Sequence, residues 1–585
     1  MAYSKYKDAP PEETIKRIKE CFSKVGIDLK HKVSKRMDGI YSSVVFDDKG
    51  GWSTAGKGTT EEFCLASGYA EAMEHFCNYC AYDWKKINEE SRVYLGFDRY
   101  PDETITGIEQ LQDIHTYVKQ EMEQAYSIEG DSCNDEDLIK TWKDFLNCNS
   151  ISLVPYYSVK KRKVVELPEA IVGKLCGSTG GGAGNSPEEA IGHGLDEISE
   201  RYVKYIIYSE ELTPPEIPFE YIEEHCPEIF QIIQNIQKEK RYSVIVFDAS
   251  LGKNYPVVAV CVIDKDSHSY VVNFGAHPCF TIALERCLTE MFQFMTLEVK
   301  KTAKHKSMEK WTSFSQDVHS VRNWVSLLRD DTGKVPDTFF AGRPSWKFRP
   351  WGFYDNYNNK YGMQLQIDNF LKNGVKDIFI RDFSFLGFPV YRIYIPELSV
   401  SHYTISKRVL KSFEDGNAVI QSIISQDKCK LSREEQKLMQ QVFANDSYIS
   451  TWIIRDIKES YLDLAYIFLI KDMFGEKEAM EMLSSVDEDF SAAIGEDLHM
   501  KILNKPVEYR DRLIDLFYGS FILDIVIAWR KDNCFAELCL VLKKYNFLRK
   551  AGNDDIVKNI QLIHRRFKEC MLKNVPDQMR IEDIL

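Results

Sequence analysis

The stretch Gly177-Ser-Thr-Gly-Gly-Gly-Ala-Gly-Asn-Ser-Pro-Glu-Glu-Ala-Ile-Gly-His-Gly-Leu-Asp-Glu-Ile-Ser-Glu-Arg201 sets the reading of this chain. A glycine-rich loop leads to Ser186 and Pro187, and an acidic helix begins there. Serine before proline is a helix-start signal, because proline lacks the amide hydrogen that the first helical position cannot pair. At ~100° per residue, Glu189, His193, Glu197 and Glu200 fall within an arc of about 80°, so they share one face. Such a face is either well solvated or set to hold a hard cation through oxygen ligands.

The pattern recurs. Gly56-Lys-Gly-Thr-Thr60 precedes a helix carrying Glu71 and Glu74 on one face, and Gly275-Ala-His-Pro278 precedes one carrying Glu285, Arg286 and Glu290. Three strand-like runs end in glycine and feed acidic helices, which suggests that the helix faces meet in one pocket.

These residues resemble the YcaO superfamily: Gly56-Lys-Gly with Glu71-x-x-Glu74, Ala183-Gly-Asn with Glu197-x-x-Glu200-Arg201, and Gly275-Ala-His-Pro with Leu284-Glu-Arg286-x-x-x-Glu290. The resemblance spans about residues 5–397. It implies an ATP site unlike the P-loop or protein-kinase types, with Glu71, Glu74, Glu189, Glu197 and Glu200 holding Mg²⁺. It assigns Arg286 to phosphate with Glu290 as its partner one turn later, and Lys7 and Thr14 to nucleotide. Asn185, at a helix start, suits phosphate, and His193 and Arg201 join the nucleotide set. The chemistry is coherent, since carboxylates approach a triphosphate only through bridging cations. Each residue also has a plainer use: Arg286 with Glu290 as a helix ion pair, Arg201 as a clamp, Lys7 as a tail residue, His277 as a cap. Three positions depart from the family pattern: His75 stands where arginine is usual, Cys279 where aspartate is common, and His193 where glutamine is found.

The rest of the chain bounds this reading. Its 585 residues suffice for two or more domains, and 44% hydrophobic with 28% charged residues is ordinary for a globular protein. A net charge of −14 argues against a role coating nucleic acid. Fifteen cysteines without regular spacing suit reduced thiols in the cytoplasm, and Cys77-Asn-Tyr-Cys80 has no second ligand pair to complete a zinc site. The N-terminus lacks signal-peptide character. The apolar runs at 462–474 and 516–529 carry charges and are too short to span a bilayer. Gly51-Trp-Ser-Thr-Ala-Gly-Lys-Gly58 fails as a P-loop because residue 58 is glycine where Ser or Thr is required.

In order, a helix is expected at 11–25, a hairpin at 40–54, charged helices over 105–147, and a β pair at 150–168. Strands follow at 242–247, 257–264 and 270–274, an irregular insertion at 298–360, a short helix at 364–372 and a strand at 390–395. Beyond Ser399 only helices are expected: 432–444, 448–474, 476–485, 507–531, 535–545 and 555–573. The fold class is therefore α+β. An ATP-binding domain of mixed or antiparallel sheets with helices occupies 1–398, and an all-α domain, tetratricopeptide-like by the resemblance, occupies 399–585.

Understood YcaO enzymes use ATP to activate a backbone amide. The resemblance thus implies a peptide or ribosomal-protein substrate, either directly or in assisting the radical enzyme RimO in ribosomal-protein methylthiolation, and is compatible with a homodimer. Azoline or thioamide formation stands second, because the chain ends Arg580-Ile-Glu-Asp-Ile-Leu585 rather than in a proline-rich tail. It also begins directly in the YcaO region, with no expected leader-binding domain. A non-catalytic, ATP-gated adaptor built on the C-terminal helices stands third.

Overall fold

The computed structural model describes residues 6–47, 52–78, 99–109, 117–121, 150–293 (without 239 and 267), 334–351 (without 341 and 342) and 357–399. It also describes residues 467–545 in part, 554–585, and a few isolated positions: 139, 143, 309, 310 and 327. The elements in order are α1 (Pro11–Val25), β1 (Lys30–Met37), β2 (Ile40–Asp47), β3 (Trp52–Gly58), α2 (Glu61–Cys77), β4 (Thr104–Gly107), β5 (Ser150–Ser158), β6 (Lys163–Pro168) and α3 (Glu169–Cys176). Then come β7 (Gly181–Ala183), α4 (Pro187–Ser209), α5 (Phe219–His225), α6 (Pro227–Gln237), β8 (Tyr242–Asp248), β9 (Val257–Asp264), β10 (Ser269–Ala276) and α7 (Phe280–Met291). They continue with β11 (Glu309–Lys310), α8 (Asn359–Lys372), β12 (Phe379–Asp382) and β13 (Val390–Tyr394). Helices α9 (Glu476–Met482), α10 (Glu488–Ile502), α11 (Val507–Tyr518), α12 (Ser520–Trp529), α13 (Cys534–Lys544), α14 (Asp554–Lys573) and α15 (Ile581–Ile584) complete it.

The strands form three sheets, of order β1-β2-β3, β11-β10-β9-β8 and β4-β5-β12-β13-β7, with β6 added on β5. Every described strand pairing is antiparallel. Each sheet contributes one of the three glycine-ended strands: β3, β7 and β10. One core joins α1 and α2 to β5 and β12 through Phe22, Phe76, Tyr156 and Phe379. A second lies under α4 and α8, through Leu195, Ile198, Ile367 and Ile393. A third packs α5, α6 and α7 on β8–β10.

Several expectations need correcting. Thr104–Gly107 is a strand paired with β5, where helix was expected from 105; the alternation Thr-Ile-Thr is β-type, and the sheet edge decides it. Glu309–Lys310 pairs with β10 inside the stretch read as irregular. Helix α8 starts five residues early, at an Asn358 cap that accepts from Tyr361 N. The expected helix 507–531 is two helices, broken at Gly519 where φ is +87°. Helix α10 was missed, and the expected helix 432–444, most of 448–474 and Cys80 lie outside the described residues.

The C-terminal residues return to the first core. Ile563, Phe567 and Met571 of α14 are buried with Phe22 and Phe76, and the Phe567 and Phe76 ring centroids are 4.7 Å apart. The Gln578 side chain then brackets one residue of β12: its Oε1 accepts from Asp382 N at 2.8 Å and its Nε2 donates to Asp382 O at 3.2 Å. Ile581 is buried in the second core. The segment from Ile563 to Ile581 therefore packs with the sheets of the N-terminal part, across the expected boundary at 398/399.

Candidate active site

A single geometric unit builds the site three times. An added Cβ on Gly56, Gly182 or Gly275 would lie 2.2, 2.1 or 2.5 Å from the carbonyl oxygen of Cys64, Ala190 or Ala283. In each case the carbonyl belongs to the residue eight positions later. Only glycine lets these strands lie flat on the helices that follow them. In all three units the helix cap is four residues on (Thr60, Ser186, Cys279) and the helix starts five on (Glu61, Pro187, Phe280). Fifteen residues on stands a glutamate: Glu71, Glu197 or Glu290. Eighteen on stand Glu74, Glu200 and Gln293.

These helices surround a cavity of about 490 Å³, within the range of small-molecule sites. All twelve residues expected from the sequence line it: Lys7, Thr14, Glu71, Glu74, Asn185, Glu189, His193, Glu197, Glu200, Arg201, Arg286 and Glu290. Phe63, Ala66, Ala70, Ile282 and Phe388 supply an apolar flank.

The second unit is thoroughly hydrogen-bonded. Ser186 caps α4 as expected, its hydroxyl accepting from Glu189 N at 3.1 Å. The Glu189 carboxylate accepts from Lys7 Nζ and Asp8 N, both at 3.1 Å, and from Asn185 N and Nδ2, both at 3.3 Å. Burial pushes that carboxyl up, but Lys7, the Asp8 amide and Asn185 outweigh it and hold it below its ordinary value. Glu189 thus anchors the N-terminal lead onto α4, a role that its expected place among the metal ligands did not include. The Lys7 ammonium also donates to His193 Nε2 at 2.9 Å, while His193 Nδ1 lies 3.1 Å from Ala183 O. Burial, then the Lys7 and Arg286 charges, keep His193 neutral. Thr14 Oγ1 donates to Asn185 Oδ1 at 2.9 Å. Glu197 accepts from Gly180 N and pairs with Arg201, both at 2.8 Å, and Arg201 donates to Thr179 Oγ1 at 2.6 Å.

In the first unit, burial drives Glu71 up to about 7, against the pull of Lys57 and with the push of Glu290 and Glu197. Glu74 is driven well above its ordinary value by burial, then by Glu197 and Glu71. Gly181 makes room for it, since a Cβ there would lie 2.7 Å from Glu74 Oε1. His75 lines the cavity too, its pKa lowered by burial and then by Arg201.

In the third unit, Arg286 Nη1 bonds Asp196 Oδ2 at 2.8 Å and Glu290 pairs with Lys57, in place of the expected Arg286–Glu290 partnership. Burial raises Asp196 to about 7, opposed first by Arg286. His277 is neither a free ligand nor the cap residue: its Nδ1 accepts from Cys279 N at 2.9 Å and its Nε2 lies 3.2 Å from the Tyr357 hydroxyl.

Lys57, which lines the cavity, and Asp196, which holds Arg286 there, are among the residues that the sequence reading left out of the site. Both had a signal. Asp196 lies about 20° beyond the Glu189 edge of the acidic arc of α4, three residues after His193 and four before Glu200. Lys57 is the one side chain between two strand glycines.

The donor set fits Mg²⁺ with a polyphosphate. Hard carboxylates at the positions of Glu71 and Glu74 are unfavourable as bare anions and become favourable beside a dication, while lysines and arginines face them. Among the described residues no three ligating groups form a ready-made metal cage, in keeping with the internal ion pairs that engage several of these carboxylates.

The chain matches the family model described as YcaO cyclodehydratase, ATP- and Mg²⁺-binding, over residues 55–399. It is 27% identical over 403 residues to the Escherichia coli (strain K12) ribosomal protein S12 methylthiotransferase accessory factor YcaO, covering 67% of this chain and 65% of that protein. It is 28% identical over 348 residues to an uncharacterized Haemophilus influenzae protein, covering 59% of this chain and 57% of the other. The chain thus spans somewhat under two thirds of these curated relatives. Solved structures similar to it include a heterocyclase in complex with substrate and cofactor (TM-score 0.46, 20% identity, 67% of this chain and 52% of that one). Another is YcaO from Methanopyrus kandleri bound with AMPPCP and Mg²⁺ (TM-score 0.40, 16% identity, 67% and 92%).

Proposed function

We propose, on the premise that this chain belongs to the YcaO family of ATP- and Mg²⁺-binding proteins, that it uses ATP to activate a backbone amide of a peptide or protein. The observation that carries this reading is the meeting of three equivalent acidic helices in one cavity that also holds Lys7, Arg201 and Arg286. Bound ATP would supply its γ-phosphoryl group to the amide oxygen, releasing ADP, after or together with attack of a nucleophile on the amide carbon. The oxygen then leaves as phosphate, a good leaving group, when the tetrahedral centre collapses. The chain's own residues do the rest. Glu71, Glu74, Glu197 and Glu200 would hold Mg²⁺, Arg286 and Arg201 would take phosphate oxygens by planar two-point contact, and Asn185 at the α4 start adds a donor. Glu189 holds Lys7 in place, and neutral His193 leaves the Lys7 charge to an anionic ligand.

A second reading, assistance to RimO in methylthiolation of a ribosomal protein, is favoured by the description of the E. coli relative. Azoline or thioamide formation on a peptide agrees with the cyclodehydratase description of the family. In an adaptor, nucleotide would only stabilise the fold and turnover would be absent. The domain division at 398/399, a tetratricopeptide-like C-terminal domain, a homodimer and a cytoplasmic location belong to this same proposal. Among the described residues no helix is long and apolar enough to cross a membrane.

Calorimetric titration with ATP, with and without Mg²⁺, followed by a product assay on the same sample, tests the proposal. Tight binding only with Mg²⁺, with ADP and phosphate accumulating when a substrate peptide is present, is the expected outcome. No binding in either condition would overturn it.

A further inference from the structure

The three-fold equivalence of the site isolates one residue. The position after each strand glycine is Lys57 in the first unit, Ala183 in the second and Ala276 in the third. Gly56 and Gly58 press the β3 backbone against α2: an added Cβ would lie 2.2 Å from Cys64 O at Gly56 and 2.6 Å from Cys64 N at Gly58. The lysine between them reaches the cavity. It forms an ion pair with Glu290 of α7, and its charge acts on Glu71 of α2. The side chains of this pair are 23% and 27% exposed, so ions can reach them. Other cations of the cavity are engaged elsewhere: Lys7 on Glu189, Arg201 on Glu197 and Arg286 on Asp196. Lys57 thus sets a cation between the equivalent carboxylates Glu71 and Glu290 of the first and third units.

We propose that Lys57 is a tethered stand-in for a divalent cation. In the ligand-free protein its ammonium compensates Glu71 and Glu290, and an entering dication displaces it from those carboxylates, freeing its charge for the anionic ligand that arrives with the metal. A lysine suits this use, being a compact charge on a flexible four-carbon stem that can swing aside without unfolding its strand. The assignment rests on the Mg²⁺-ATP reading of the cavity and adds a consequence to it: metal and lysine compete when nucleotide is absent. A purely structural ion pair would predict the reverse, since its loss would loosen the carboxylates and weaken metal binding.

Mn²⁺ titration followed by electron paramagnetic resonance, without nucleotide, decides between them. Lys57→Met should bind Mn²⁺ about tenfold or more tightly than the natural protein, because an internal competitor has been removed. Lys57→Arg, which keeps a cation, should stay within about threefold of it. Unchanged or weaker Mn²⁺ binding in a folded Lys57→Met protein overturns the proposal. Should that variant not fold, the natural protein suffices: Mg²⁺ alone should speed acylation of Lys57 by an amine-reactive reagent, read by peptide mass spectrometry. Unaltered labelling overturns the proposal equally. Failure of the natural protein to bind Mg²⁺-ATP would sink the nucleotide reading without touching this competition, so the two can fail separately.

Discussion

The units at Gly56 and Gly182 share one backbone plan, with cap, helix start and glutamates at the same offsets, yet their carboxylates live in opposite conditions. On α4, Glu197 has the Gly180 amide and Arg201, and Glu189 has four donors. On α2, Glu71 and Glu74 are pushed upward, burial leading in both. One substitution explains much of the contrast. Arg201, which pairs with Glu197 four residues earlier, corresponds to His75, four residues after Glu71, and burial strips His75 of charge. Equivalent geometry thus yields one helix that organises the loops and one whose carboxylates are held in reserve for a cation.

The strongest way to break this contrast is Glu74→Gln. It should lower Mg²⁺-dependent ATP affinity by ~100-fold or more, since a metal ligand matters at least as much as the partners behind it. The same variant, free of ligand, should gain about 1 kcal/mol in thermal unfolding, a gain that grows with pH as the natural carboxyl is forced to ionise. A loss of both binding and stability would place Glu74 with the anchoring residues.

Glu189→Gln should behave the other way round. It leaves Lys7 and the Asp8 amide short of a charged acceptor, costing about 1–3 kcal/mol of stability, with ATP affinity down only about tenfold and its Mg²⁺ dependence kept. If calorimetry instead shows Mg²⁺ dependence abolished, Glu189 is a metal ligand and the two helices are alike in use as well as in plan.

The effect of pH sharpens the contrast. Glu71 is raised to about 7, so its protonated form predominates below that value and cannot take a dication. Mg²⁺-dependent ATP affinity should therefore rise as pH increases through about 7. The ligand-free protein should lose stability between the ordinary glutamate range and about 7, because there the folded state holds a proton that the unfolded chain has released. His75→Arg would rebuild the Arg201–Glu197 arrangement on α2 and should move the binding midpoint down by about 1 unit. An unmoved midpoint would mean that His75 is not what separates the two units.

The strand–glycine–helix pattern was legible in one sequence because it is local and needs only the capping signal and the helical period. The site residues themselves came mostly from the family resemblance, and all twelve line one cavity. What was not legible depends on three dimensions. No spacing rule says that Lys57 on β3 meets Glu290 on α7, 233 positions away, or that Asp196 takes Arg286. Thr104–Gly107 reads as the start of a charged helical stretch and becomes a strand because β5 offers it an edge. The separateness of the C-terminal helices looked plain from the loss of strand signals. Yet Phe567 returns to the first core and Gln578 to the β12 backbone at Asp382, and an apolar helix face does not say which surface will cover it.

The smallest effects test whether the three units are equivalent at their helix starts. Thr60 and Ser186 cap α2 and α4, accepting from Phe63 N at 3.3 Å and Glu189 N at 3.1 Å, whereas Cys279, at the same offset, gives α7 no side-chain cap. A thiol is a poor acceptor, so the first amides of α7 lose what a hydroxyl would supply. Ser186→Ala should therefore cost about 1 kcal/mol in denaturant unfolding, and Cys279→Ser should gain a similar amount, with ATP affinity nearly unchanged in both. The backbone already suits a cap, because Cys279 has extended φ and ψ of −85° and 121°. A loss of stability on Cys279→Ser would show that the sulfur is needed where it lies, packed at 8% exposure, and that the third unit departs from the other two in more than its cap.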